Sequence, residues 1–153
     1  MNWNAIAAIS AALGATGVIA TVAYMAFQIR QNTAAIQGST QQALMNAEMS
    51  LYALLAEHAG VYRRGCVSVA ELEPDEEARF EHLVLAFMSQ LYGAFVQNQR
   101  KLIPQSVWTA YLLDYSTYAV MPGFQRVWSK FETSYPKEFC QSLRHFHKSR
   151  ATE

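Results

Sequence analysis

With 153 residues, twelve basic and twelve acidic side chains, the chain carries no net charge, so no global field draws it to nucleic acid or another polyanion. Its two cysteines, Cys66 and Cys140, lie in no CxxC and are too few for a disulfide framework. They read as ordinary buried thiols in a reducing compartment.

From Met1 to Ile29 no side chain is charged, and Arg30 is the first. Nearly every residue from Trp3 to Phe27 is apolar or small. A helix of that length crosses a hydrocarbon layer ~30 Å thick. A secretory signal opens with Lys or Arg and holds an apolar run of only ~7–15 residues. Here the chain opens Met-Asn-Trp-Asn and the run is about twice that long, so residues 1–30 read as a retained transmembrane anchor. Trp3 and Tyr24 suit headgroup depth at its two ends. Arg30 follows the span and nothing basic precedes it, which directs the N-terminus outward and the remainder to the cytoplasm.

The span is rich in small residues. Ala7, Ala11 and Ala15 lie four apart, as do Ala8, Ala12, Thr16 and Ala20; Gly14 and Gly17 add to them, and Leu13 is its single leucine. Small residues on one face let helix backbones approach, and close packing holds helices together in lipid. The expected contacts of the Ala7, Ala11, Gly14, Ala15 and Gly17 face are copies of the chain or another membrane protein, besides the bilayer itself. An alternative is that alanine is simply common in the source genome.

Residues 31–65 read as a juxtamembrane helix. Gly38-Ser39-Thr40 is a soft spot, but a continuous or gently bent helix is favoured to about His58, with Leu44, Leu51 and Leu55 on a broad apolar face. Gly60 and Arg63-Arg64-Gly65 read as its end, and 66–73 as a loop. The remaining domain, 66–153, packs with residues 40–60. Glu73-Pro74-Asp75-Glu76-Glu77 is a helix start, with proline at the first position and carboxylates against the dipole. The next helix has the cleanest period: Phe80, Leu83, Val84, Phe87, Leu91, Ala94 and Phe95, to about Lys101.

Pro104 opens another helix with Trp108, Tyr111, Leu112, Tyr115 and Ala119 on one face; Met121-Pro122-Gly123 breaks it. Phe124, Val127, Trp128 and Phe131 mark a short helix, Tyr135-Pro136 a break, and Phe139, Leu143 and Phe146 a last helix fraying into 148–153. No stretch alternates with period two. The expected fold is all-α: one N-terminal transmembrane helix continuing into a small helical bundle.

The order Tyr24-x-x-x-Gln28-Ile29-Arg30-Gln31-Asn32-Thr33 after an apolar span, then Leu72-x-Pro74, Arg79-Phe80, Trp108, Pro122-Gly123-Phe124 with Trp128, and Phe139, resembles a widespread set of uncharacterised bacterial proteins with one N-terminal membrane helix and an all-helical remainder. Gln28–Thr33 is its most specific stretch. The chain departs from it at Ala34-Ala35-Ile36-Gln37, where those proteins often have basic residues. The resemblance implies a bacterial inner-membrane protein and no particular activity.

Charges are segregated. Glu71, Glu73, Asp75, Glu76, Glu77 and Glu81 form an acidic cluster; Arg126, Lys130, Lys137, Arg144, Lys148 and Arg150 form a basic C-terminal third. Two solvated faces explain this; the alternative sets the basic tail against anionic lipid or a neighbouring copy's acidic cluster. Di-iron bundles need Glu-x-x-His pairs, and the chain has only adjacent Glu57-His58 and Glu81-His82. Arg63 and Arg64 beside Cys66 would favour a thiolate, but no His is near it in sequence. No phosphate loop or nucleophile elbow occurs. The reading is therefore a non-catalytic protein without cofactor, a subunit that self-associates or docks onto a membrane assembly. The alternative is an anchored sensor that holds a lipid or small apolar ligand in an aromatic pocket of Trp108, Tyr111, Tyr115 and Trp128.

Overall fold

The computed structural model describes residues 2–150, without the side chains of Ala5, Ala8, Ala12, Glu71, Ser149 and Arg150. The expected fraying at 151–153, the packing of Ala8 and Ala12, and the charges of Glu71 and Arg150 lie outside the described residues. The fold is all-α, with helices α1 (Trp3–Glu57), α2 (Ala59–Val67), α3 (Pro74–Gln99), α4 (Gln105–Ala119), α5 (Pro122–Phe131) and α6 (Lys137–Arg150). Short 3₁₀ turns cover Val69–Glu71 and Glu132–Ser134.

The chain divides between Ser39 and Thr40 into two compact units, although α1 runs unbroken through Gly38. In the first unit the large apolar side chains stand in the open: Ile9, Leu13, Val18, Ile19, Val22 and Phe27 are all exposed. None of its eighteen-residue apolar window is buried, and it is long and apolar enough to cross a membrane.

The second unit is organised by α3. Phe80, Leu83, Val84, Phe87, Met88, Leu91, Ala94 and Phe95 are all buried along it. Its start is built as its sequence implies. Pro74 occupies the first turn with Asp75, Glu76 and Glu77, and the Glu76 carboxylate accepts the Glu73 N–H at 3.4 Å. Its end closes on Lys101, a left-handed residue at φ 58°. Lys101 and Leu102 return their N–H groups to the carbonyls of Asn98 and Gln97, each at 2.9 Å, in a Schellman closure. Around α3 pack Leu51 of α1, Trp108, Leu112 and Tyr115 of α4, Phe124 and Val127 of α5, and Phe139 and Leu143 of α6. Phe80, Phe124 and Phe139 are each under 2% exposed, burial that stabilises by about 1.5–3 kcal/mol per side chain.

The stretch after His58 departs from the sequence reading. Gly60 and Gly65 end nothing: the helix breaks at His58 and resumes at once as α2, which carries Arg63, Arg64 and Gly65 within it, and the expected loop shrinks to a few residues around one 3₁₀ turn. The reason is packing. A Cβ on Gly65 would strike the Phe80 ring, and one on Gly123 would overlap the Gly65 carbonyl oxygen. Gly65 and Gly123 let α2 and α5 touch backbone to backbone and leave room for the Phe80 ring of α3, rather than stopping a helix, whereas nothing lies within 4 Å of where a Cβ on Gly60 would sit.

The segregated charges meet within the chain. Arg126 and Lys130 of α5 reach Glu77 at 3.1 Å and Glu81 at 2.6 Å on α3; Arg64 of α2 pairs with Glu76; Arg144 of α6 reaches Glu132 at 2.9 Å. These are exposed pairs, worth about 0–1 kcal/mol each, which align helices more than they hold them.

Candidate functional site

Of the four aromatic residues expected to share one pocket, two, Tyr115 and Trp128, border a common hollow, while Trp108 and Tyr111 lie elsewhere. Trp108 is core, edge-on to Phe95 at 5.7 Å. Tyr115 is buried against Phe124 at 6.2 Å. Trp128 is half-buried on Tyr135 at 5.3 Å and Phe139 at 6.3 Å. Tyr115 and Trp128 border a hollow of about 260 Å³ rimmed by Arg144, His147 and Lys148. Tyr111 alone faces a larger one. In the other unit Ala7, Ala11, Gly14, Ala15 and Gly17 are all exposed, and nothing lies within 4 Å of where a Cβ on Gly14 or Gly17 would sit.

The larger cavity, about 470 Å³, lies between α1 and α4 within the second unit. On α1 the spacing of Gln41, Leu44, Met45, Glu48 and Tyr52 puts all five on one face. On α4 Val107, Ala110, Tyr111 and Asp114 do the same. The walls are therefore mixed: an apolar portion from Leu44, Met45, Val107 and Ala110, and a polar portion from two carboxylates and two phenols.

Glu48 is tied down. Tyr52 donates its hydroxyl to one carboxylate oxygen at 3.1 Å, and Tyr111 donates to the other at 3.4 Å. Gln90 of α3 supports the wall from behind, donating to the Leu44 carbonyl at 3.2 Å and to the Tyr111 hydroxyl at 3.5 Å. Asp114 is different. Among the described residues neither an ion pair nor a hydrogen bond reaches it. Partial burial and the nearby Glu48 charge push its carboxyl above the ordinary 3.8. Burial, helped by Asp114 and the hydrogen bond to Glu48, pushes the Tyr52 phenol up to about 12. Among the described residues no Lys, Arg or His lines the cavity. It is a recess with two carboxylates in its wall, and it offers acceptors to a cation.

Sequence reasoning missed Glu48, Tyr52 and Asp114. The available signal was a single carboxylate on each of two otherwise apolar or aromatic faces, Glu48 among Leu44, Met45 and Tyr52, and Asp114 beside Tyr111 and Tyr115.

The thiol reading changes. Cys66 is buried, which pushes its thiol up rather than down. Arg64, expected to favour the thiolate, is engaged with Glu76. Cys140 is likewise buried, its thiol raised by burial and pointing at the Glu132 carbonyl 3.6 Å away. His82 meets the Ala78 carbonyl through Nδ1 at 2.7 Å, while its neighbour Glu81 serves Lys130. Among the described residues no three His, Cys, Asp or Glu side chains gather as a metal site would require. No protein-family model matches the chain, and no curated protein or solved structure matches it.

Proposed function

We propose that the chain is a single-span protein of the bacterial inner membrane. Residues 1–30 lie in the bilayer with the N-terminus outside, and the helical domain faces the cytoplasm. Its role is non-catalytic: it self-associates, or docks as one subunit of a larger membrane assembly. The observation that carries this is the surface of α1 before Thr40. Trp3, Ile9, Leu13, Val18, Ile19, Val22 and Tyr24 are each more than 60% exposed, on a stretch with no charge before Arg30. Water tolerates no such apolar surface on a lone chain. Lipid does, and Trp3 to Ile29 at ~1.5 Å per residue rises about 40 Å, enough to span. The small face at Ala7, Ala11, Gly14, Ala15 and Gly17 lets a second helix backbone lie close.

The mass of the full-length protein in neutral detergent, measured by light scattering, tests the assembly role. The native chain is expected as an oligomer or with a co-purifying membrane protein, and Gly14→Leu with Gly17→Leu is expected to reduce it to a monomer without a partner. A native monomer without a partner, or an unchanged assembly in the double variant, overturns the reading.

A further inference from the structure

We propose that the recess between α1 and α4 is a binding site for a soluble organic ammonium ion carrying an aromatic or short aliphatic body. This goes beyond the membrane assembly role and does not rest on it, because every wall of the recess belongs to the second unit.

Size comes first. A cavity of about 470 Å³ is in the range that encloses small molecules. Charge comes next. Glu48 and Asp114 both face the recess, and among the described residues no basic side chain lines it to answer them. One positive charge between them replaces a repulsion with two attractions. Glu48 is held in place by Tyr52 and Tyr111, so an acceptor is fixed before any ligand arrives. Asp114 has its acceptor capacity unspent. The remaining walls select the class of cation. A hard divalent ion prefers six or more oxygens, whereas here Leu44, Met45, Val107 and Ala110 offer hydrocarbon beside the carboxylates. An amine with an apolar body satisfies both parts, and the Tyr52 and Tyr111 rings add faces on which an ammonium group is attracted.

The test is calorimetric titration of the full-length protein in neutral detergent with phenethylammonium, against 2-phenylethanol and phenylacetate of matched size. Saturable one-site binding of the ammonium is expected, at least about tenfold tighter than the alcohol, with no binding of the acid. Asp114→Asn and Glu48→Gln are each expected to weaken it by about tenfold or more. Ala110→Trp, at an exposed wall position, fills the recess with both carboxylates intact and is expected to abolish it. Equal binding of ammonium and alcohol, native affinity in Asp114→Asn, or undiminished binding in a folded Ala110→Trp overturns the proposal. So does full displacement by calcium alone. Displacement by phosphatidylethanolamine added to the micelles would give the site to a lipid headgroup and overturn the assignment to a soluble amine.

Discussion

At Gly123 a single methyl group is more than the packing admits. The atom it would meet is the carbonyl oxygen of Gly65, part of the α2 backbone rather than the end of a mobile side chain. Relief therefore requires α2 and α5 to separate, which opens contacts around Phe80 and Phe124, the largest fully buried residues there. Gly123→Ala is expected to destabilise the domain by about 3 kcal/mol or more, the upper end for overpacking. Gly93 supplies the control. It sits inside α3 with nothing within 4 Å of its would-be Cβ, so Gly93→Ala is expected to be neutral or stabilising by up to about 1 kcal/mol. Thermal unfolding followed by circular dichroism separates them; equal melting temperatures would mean that the α2–α5 backbone contact is not made.

Between elements the informative contact is α1 against α4, which brings like charges together. Asp114 has its carboxyl raised by burial and by Glu48. A raised folded-state value means that the charged form is disfavoured in the fold. The cost is absent below the ordinary 3.8 and grows as pH rises through the raised value. Asp114→Asn is therefore expected to melt above the native protein at about pH 7, with the gap closing towards about pH 3.5. A gap that widens on acidification would reverse the sign of the interaction. This pairing was not legible in the sequence, because Glu48 and Asp114 lie on helices far apart along the chain and periodicity says which face is apolar, not which faces meet. What periodicity could fix, it did: the α3 face from Phe80 to Phe95, the Pro74 start and the breaks at Pro104, Pro122 and Pro136 appear where the pattern puts them. Gly65 was misread because a glycine that ends a helix and one that admits a neighbouring element look alike without the neighbour. The aromatic run from Trp108 to Trp128 divides between the core and its margin for a related reason. Residues on one helix face are drawn to different partners, Trp108 to Phe95 and Tyr115 to Phe124.

For the whole molecule, the proposed anchor makes the consequential choice which side of a bilayer each end would occupy. The charge argument rests on Arg30, with nothing basic before it and an uncharged Ala34-Ala35-Ile36-Gln37 after the polar stretch that follows the span. Because Cys66 and Cys140 are both buried, an introduced cysteine reports without strong background from the native thiols. Asn4 and Gln141 are exposed positions at opposite ends of the described chain. In intact bacterial cells Asn4→Cys is expected to react with a membrane-impermeant maleimide, and Gln141→Cys only after the membrane is permeabilised. Labelling of Gln141→Cys in intact cells, with Asn4→Cys protected, would invert the orientation and put the α1–α4 recess outside, where its amine would come from the surroundings rather than from metabolism. Recovery of the unlabelled full-length protein in the soluble fraction without detergent would remove the anchor itself, leaving the exposed residues before Thr40 to be covered by protein instead of lipid.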